Sequence, residues 1–249
     1  MKAIAYEGFD SADSNRRISQ TTGVIFIIAT VAALAAAALL PGLKGTDYLT
    51  KVSGNSGAVT GAALLYLIAA FTSAGIAISL YPILKRVNAG LALGSVVFRT
   101  LEAAMYLAAV VSLLSLLTVS QQFANAGVAD RFSLQTIAGS LQSVRDHATL
   151  MAVFAFSLGA GFYYYLLFQA RLIPRWLSGW GIIAIILIGL ACLLALFSNS
   201  DVTGYALLIL PIAVQEMVLA VWLIVKGFSS SSLQPITAPK DSVPVSEPR

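Results

Sequence analysis

The chain has 249 residues, of which 58% are hydrophobic and only 10% are charged, and its mean hydropathy is +0.86. Because a soluble domain carries about 25% charged residues, this composition excludes an ordinary soluble protein and predicts an integral membrane protein. The formal net charge of +4 is modest and the basic residues fall in short loops, so we expect no nucleic-acid partner.

The inventory of reactive side chains excludes several classes of site. Cys192 is the only cysteine and His147 the only histidine, so the sequence offers no intrachain disulfide and no metal-ligand spacing. It also contains no nucleotide-binding glycine loop and no nucleophile elbow. We therefore predict no metal, no cofactor and no catalytic residue.

The chain begins with a polar segment, residues 1–20, that includes the pair Arg16-Arg17. An arginine pair before an apolar run can also mark a twin-arginine export signal. However, the apolar run over residues 22–40 is longer than the roughly 7–15 residues of a signal core. We therefore favour a cytoplasmic N-terminal segment followed by a retained first membrane span over a cleaved signal.

Five further apolar stretches are long enough to cross a bilayer, which takes about 20 helical residues. The six predicted spans cover residues 22–40, 57–80, 87–120, 147–169, 177–197 and 203–225. The predicted fold is therefore all-α, a six-helix transmembrane bundle over residues 21–228. Residues 229–249 begin with four consecutive serines and contain repeated prolines, which predicts a disordered C-terminal tail.

Two of the connections between spans are long. Residues 43–56 form the first loop. The longest connection, residues 121–146, has apolar side chains at helical spacing: Phe132, Leu134, Ile137, Leu141 and Val144. This pattern predicts a short interfacial helix rather than another span.

The distribution of basic residues favours an orientation with both termini in the cytoplasm. In that orientation the cytoplasmic side holds Arg16, Arg17, Lys85, Arg86, Arg171, Arg175 and Lys226. The opposite side holds fewer basic residues, interspersed with aspartates: Lys44, Lys51, Arg131 and Arg145. An even number of spans agrees with this orientation.

Three ionisable residues lie well inside the predicted spans. Arg99 and Glu102 are three residues apart, so they share one helix face and can touch. Arg99 lies about 11 residues after Asn88, and Glu216 about ten residues before Lys226, so both are about 15 Å from the same surface. That depth is close to the middle of a hydrocarbon core of about 30 Å.

Burial of these three charges predicts a structural or a functional role. Each costs roughly 2.5 kcal/mol or more at the bilayer centre, so all three should face the protein interior. We expect Arg99 to reach Glu102 directly, and Glu216 directly or through water. The cluster either locks helices together or forms an ion-, proton- or solute-binding transport site. Pro211, before Glu216, is expected to kink the sixth span.

Three other polar residues are accessory candidates. Gln215 adjoins Glu216 in the sequence. Tyr164 belongs to the tyrosine run 163–165, and such runs more often serve packing or an interface belt than ligand binding. His147 stands at the predicted start of the fourth span, where a polar residue more often begins a helix than binds a metal or a proton.

Three stretches carry a resemblance to a known family. They are residues 76–94 with the adjoining Phe98-Arg99-x-x-Glu102, residues 172–177 (LIPRWL), and residues 215–228. They resemble a bacterial membrane family catalogued only as domain of unknown function 4386, and the likeness covers about residues 16–228. It implies a six-helix protein of the bacterial cytoplasmic (inner) membrane. It implies no activity, so no catalytic role is carried over.

Three classes of function stay open at this point. A small transporter or ion-coupled protein is favoured by three charges at one depth. A non-catalytic membrane partner or sensor subunit would need only a bundle held together by the same cluster. A membrane-embedded enzyme acting on lipid has the least support, because the sequence offers few catalytic groups. In each case the lipid bilayer is the expected surrounding.

Overall fold

A computed structural model describes residues 2–198 and 200–229 of the chain. These residues form seven α-helices and one short 3₁₀ helix, with no β-strand among them, so the predicted all-α fold is confirmed. The predicted disordered tail lies outside the described residues except for Ser229. The helices are α1 (Lys2–Leu39), α2 (Tyr48–Gly54), α3 (Ser56–Leu84), α4 (Ala89–Asn125), α5 (Val128–Gln169), α6 (Arg175–Ser198) and α7 (Ala206–Val225), with the 3₁₀ helix at Val202–Tyr205.

Six of these helices are long and apolar enough to cross a membrane. The candidate spans are Asp13–Leu39, Ser56–Leu84, Ala89–Asn125, Val128–Gln169, Arg175–Ser198 and Val202–Val225. Each overlaps one of the six spans predicted from the sequence. The chain is therefore a multi-pass membrane protein.

The bundle has two ends, which we name by what lies there. The N-terminal face holds the turns 85–88 and 170–174 and the segment 226–229. The hairpin face holds the loop 40–47, the turn 126–127 between α4 and α5, and residues 200–201.

The six spanning helices form a closed ring. In the order α1, α3, α4, α5, α6, α7, each helix packs against the next, and α7 packs back against α1. The short connections at the two faces place consecutive helices side by side. A ring of this kind leaves room at its centre for a cavity that every helix can line.

The seam between α1 and α7 closes the ring through polar contacts. Ser19 Oγ donates to the Leu223 carbonyl at 2.6 Å, and Arg16 Nη2 donates to the carbonyls of Ile224 and Val225 at 2.9 and 3.0 Å. These carbonyls end α7 and have no partner within their own helix. The last turn of the final span is thus capped by side chains of the first span.

Large apolar side chains cover the outside of the ring. On α3, for example, Leu64, Phe71 and Ile78 recur every seven residues and are 57–62% exposed. Residues seven apart lie on one helix face. Such a stripe is unfavourable in water and favourable against lipid tails, which agrees with the membrane location.

The prediction of a long connection over residues 121–146 is wrong. Residues 128–169 form one helix, α5, of 42 residues, so the predicted interfacial helix is its N-terminal part. This part packs against α4 along one edge only: Ala138 is fully buried in a second core with Leu49 and Val52, and Ser112 Oγ donates to the Leu141 carbonyl. Three of its predicted apolar side chains stay exposed: Phe132, Ile137 and Val144. At about 1.5 Å per residue α5 is roughly 63 Å long, so the α4–α5 hairpin extends beyond a core of about 30 Å.

Two smaller expectations also change. The first loop, residues 43–56, contains the helix α2, whose Leu49 and Val52 are buried. The polar N-terminal segment is not separate from the first span, because α1 runs without interruption from Lys2 to Leu39.

Candidate functional site

Arg99 and Glu102 form a buried ion pair on α4. Arg99 Nη1 and Glu102 Oε2 are 2.8 Å apart, and the two residues are only 2% and 4% exposed. Their spacing of three residues places both side chains on one helix face, as expected from the sequence. The pair lies ten residues or more into α4, about 15 Å from its start.

Neighbouring helices hold the pair in place. The Ser73 hydroxyl on α3 donates a hydrogen bond to Glu102 Oε1 at 2.8 Å. The Ser73 carbonyl accepts a hydrogen bond from Arg99 Nε at 3.3 Å. The ring of Phe156 on α5 lies 4.6 Å from the guanidinium carbon, a cation–π distance. Gly159, one turn further along α5, lets α5 approach so closely that an added Cβ would lie 3.0 Å from the Arg99 amide nitrogen.

The facing atoms of the ion pair have unused hydrogen-bonding capacity. Although Arg99 Nη1 and Glu102 Oε2 are close, they do not meet hydrogen-bond geometry with each other, and neither has another hydrogen-bond partner among the described residues. The two groups are therefore held together by the attraction of their charges rather than by a well-aligned hydrogen bond.

Glu216 on α7 faces the same space from the opposite side of the ring. Its Oε1 accepts a long hydrogen bond, 3.4 Å, from the Tyr163 hydroxyl. Within the described part of the chain, Glu216 has no cation at ion-pair distance. The expected direct contact with Arg99 is absent because α7 packs on α1 and α6, whereas α4 packs on α3 and α5.

A cavity of about 240 Å³ separates the two halves of this charged cluster. All six spanning helices contribute to its wall, which is apolar apart from two tyrosines, Thr30, Ser73 and the charged residues. Arg99 and Glu216 are the lining residues nearest the N-terminal face on α4 and α7, so the charges form the floor of the cavity. The wall residues used below are Tyr66, Tyr106, Val153, Ile209 and Ala213.

The accessory candidates lie beside this cavity or away from it. The Tyr164 hydroxyl donates to Gln215 Oε1 at 2.5 Å, and Gln215 Nε2 donates to the Leu177 carbonyl at 3.0 Å. Both side chains are fully buried and do not line the cavity. His147 is exposed on α5, with Nδ1 2.7 Å from the Ser143 carbonyl, and it is not part of the cluster.

Several residues of the site were not singled out from the sequence. Ser73 and Phe156 are ordinary residues of apolar helices, and nothing in the sequence points to them. Tyr163 was assigned to packing, yet it is the hydrogen-bond donor to Glu216. Pro211 does not interrupt α7, which is helical from Ala206 to Val225. Among the residues described, no three His, Cys, Asp or Glu side chains are grouped as a metal site.

A closed ring of six apolar helices around a charged cavity defines a multi-pass membrane protein with an internal polar site. The chain belongs to the family described as "Domain of unknown function (DUF4386)", whose model matches residues 21–227. No curated protein and no solved structure is significantly similar to it.

Proposed function

We propose that this protein is a small membrane transporter whose Arg99–Glu102–Glu216 cluster binds a small cation or a proton. The observation that carries the proposal is the position of Glu216. Its carboxyl group faces a cavity inside the ring, and no cation of the described chain lies within ion-pair distance. A carboxylate at this depth is costly unless a positive charge balances it.

The charges of the three ionised side chains do not balance. One guanidinium stands against two carboxyl groups, so the fully ionised cluster carries a net charge of minus one. Low dielectric disfavours that state, and either a proton or a bound cation removes it. Arg99 is already paired with Glu102, which leaves Glu216 as the group that exchanges its positive partner.

The cavity wall favours a cation with an apolar body. Tyr66 and Tyr106 line it together with aliphatic side chains from five spanning helices, α1, α3, α5, α6 and α7. Aromatic faces attract cations, and more strongly where water is excluded. A volume of about 240 Å³ is below the roughly 300–1,000 Å³ of drug-sized sites, so the ligand is a small one.

Replacing Glu216 by glutamine is expected to abolish cation movement, because the amide keeps the shape of the side chain but neither binds a proton nor carries a charge. The measurement is transient current from proteoliposomes on a solid-supported membrane, after jumps in proton concentration and in tetramethylammonium, the probe cation. We expect the peak currents to fall to about a tenth of the wild-type value or less, because the bound positive charge loses its carboxylate.

Asp130→Asn is the matched control for this experiment. Asp130 lies in the first turn of α5, on the hairpin, and is exposed. The variant removes one carboxylate from the protein without touching the cavity, so its currents should equal those of the wild type. Wild-type currents no larger than those of empty liposomes would contradict the transport proposal, as would full activity in Glu216→Gln.

We also infer that the protein lies in the inner membrane of a bacterium, with both termini in the cytoplasm. The N-terminal face carries seven of the basic residues near span ends and the hairpin face four, and positive charge favours the cytoplasmic side. In a bacterial host, alkaline phosphatase fused after Phe228 should be inactive and a fluorescent protein fused there should be bright. Insertion of the phosphatase after Ser200 should give the active enzyme. The reverse pattern would place the hairpin face in the cytoplasm.

A further inference from the structure

The central cavity is the innermost of three cavities that lie in a row. A second cavity of about 210 Å³ shares four of its wall residues: Tyr66, Tyr106, Val153 and Ile209. A third, of about 410 Å³, shares five wall residues with the second: Tyr66, Arg145, Thr149, Val202 and Thr203. Shared walls mean that the cavities adjoin, and Tyr66 borders all three.

The third cavity lies at the hairpin face. Its rim includes residues 41–44 of the first loop and Asp201 of the turn after α6. Two ion pairs stand at this rim, Lys44–Asp201 at 2.5 Å and Arg145–Asp146 at 3.1 Å. The Lys44 ammonium donates a hydrogen bond that lowers the pKa of the Asp201 carboxyl, so the pair stays ionised at neutral pH. The row of cavities thus runs from a polar rim to the charged floor.

The opposite side of the floor is filled by side chains. Tyr163 and Tyr164 are fully buried on α5, with ring centroids 4.5 Å apart, about two turns closer to the N-terminal face than Phe156. Gly181 on α6 meets Tyr164 so closely that an added Cβ would clash with its ring. The cavity at the N-terminal face, lined by Arg175 and Trp222 among others, shares no wall residue with the central one.

We propose that the cation site is entered from the hairpin face through this row of cavities, and that Tyr163, Tyr164 and Gln215 form a closed gate toward the N-terminal face. The proposal rests on the proposed function of the same site. The structure is then the state of the transporter that is open to the hairpin face. Release on the other side requires the Tyr164–Gln215 hydrogen bond to break, which frees the ring of Tyr164 to move.

The single native cysteine makes the route measurable. In a Cys192→Ser background, we would introduce one cysteine at a time and treat sealed vesicles with a membrane-impermeant trimethylammonium methanethiosulfonate reagent. Ser200→Cys marks the hairpin face and Lys85→Cys the N-terminal face, since both positions are exposed. Protein that escapes the reagent is counted by a gel shift with a polyethylene-glycol maleimide after denaturation, which also confirms that each thiol is present.

Three reporter cysteines test the route. Thr149→Cys lies in the second and third cavities, and Ala213→Cys lies in the central cavity near Glu216. Both should react about tenfold faster or more from the hairpin face than from the N-terminal face, because thiol reactivity follows exposure. Ala220→Cys is the matched control: it lies seven residues beyond Ala213 on the same face of α7, is fully buried, and should stay unreactive from both sides.

A second variant tests the gate itself. Tyr164→Phe removes the hydroxyl that donates to Gln215 and keeps the ring. Combined with Ala213→Cys, it should raise the rate of labelling from the N-terminal face several-fold. Tyr165→Phe, on the exposed side of the same helix, should leave that rate unchanged.

The outcomes separate the route from the transport activity. Equal labelling of Ala213→Cys from both faces, or faster labelling from the N-terminal face, would overturn the one-sided route. An unchanged rate in Tyr164→Phe would overturn the gate. Because labelling measures access and needs no transported ligand, one-sided labelling without any cation current would leave the route in place and refute only the proposed function.

Discussion

Replacing Arg99 by alanine is expected to destabilise the protein by about 3–5 kcal/mol, because it leaves Glu102 buried without a cation. Glu102 is 4% exposed, and among residues 2–198 and 200–229 Ser73 supplies its one hydrogen bond. The free energy of unfolding can be measured by titrating the purified protein from mild detergent into dodecyl sulfate and following its circular dichroism.

The double variant Arg99→Leu/Glu102→Leu is the control for this prediction. It removes both charges together and leaves only Ser73, whose hydroxyl can bond to a carbonyl of its own helix. We expect the double variant to lose far less stability than Arg99→Ala. Equal losses in the two variants would show that packing around the pair, rather than the stranded carboxylate, determines the cost. If the double variant folds and its cation currents equal those of the wild type, the pair is only scaffolding.

A second large effect is expected for Gly159→Ala. The added Cβ would lie 2.9 Å from Arg99 Cγ and 3.0 Å from the Arg99 amide nitrogen, which cannot move unless α4 moves with it. Overpacking of this kind costs about 1–3 kcal/mol. We also expect weaker cation binding, because the shift of α4 displaces the guanidinium from Phe156.

Gly161→Ala is the matched control, two residues further along the same helix. Within the part of the chain that the structure describes, its Cβ would meet only Ile185 Cγ2, at an ordinary contact distance of 3.6 Å. Alanine is favoured over glycine in a helix by about 1 kcal/mol, so this variant should be as stable as the wild type or more so. Similar melting temperatures for Gly159→Ala and Gly161→Ala would show that α4 and α5 do not approach each other as closely as described.

The parts of the site that could be predicted are those that depend on local geometry. Arg99 and Glu102 are three residues apart in one helix, so their contact follows from the helical repeat alone. The depth of Glu216 follows from counting residues to the end of its span. Neither inference depends on which helices are neighbours in the ring.

The order of helices around the ring could not be predicted in this way. Six apolar helices can pack in many orders, and residue counting places Glu216 at the right depth without saying which helix it faces. A direct contact between Arg99 and Glu216, one of the two forms expected, required α4 and α7 to be adjacent. In the ring they stand opposite each other, so the two side chains border a cavity instead of touching.

The tyrosine run shows the same limit on a smaller scale. Consecutive helical residues point about 100° apart, so at most part of the run can face inward. Tyr163 and Tyr164 are fully buried whereas Tyr165 is 49% exposed, and only the packing of α5 against its neighbours decides this. The interpretation of His147 as the start of a helix was wrong, because α5 begins at Val128 and continues through His147.

The closure of the ring by α1 and α7 matters for how the protein is made. A chain emerges from the ribosome N-terminal end first, at about 5–20 residues per second, so α7 is the last span to enter the membrane. Until then the groove between α1 and α6 stays open to lipid, and Arg99 and Glu102 lie on its inner wall. Ser19 and Arg16 are synthesised early, but their hydrogen-bond acceptors, the carbonyls at the end of α7, enter the membrane last. A nascent chain that stops after α6 thus leaves the charged floor of the cavity open to the bilayer on the side that α7 covers in the finished ring.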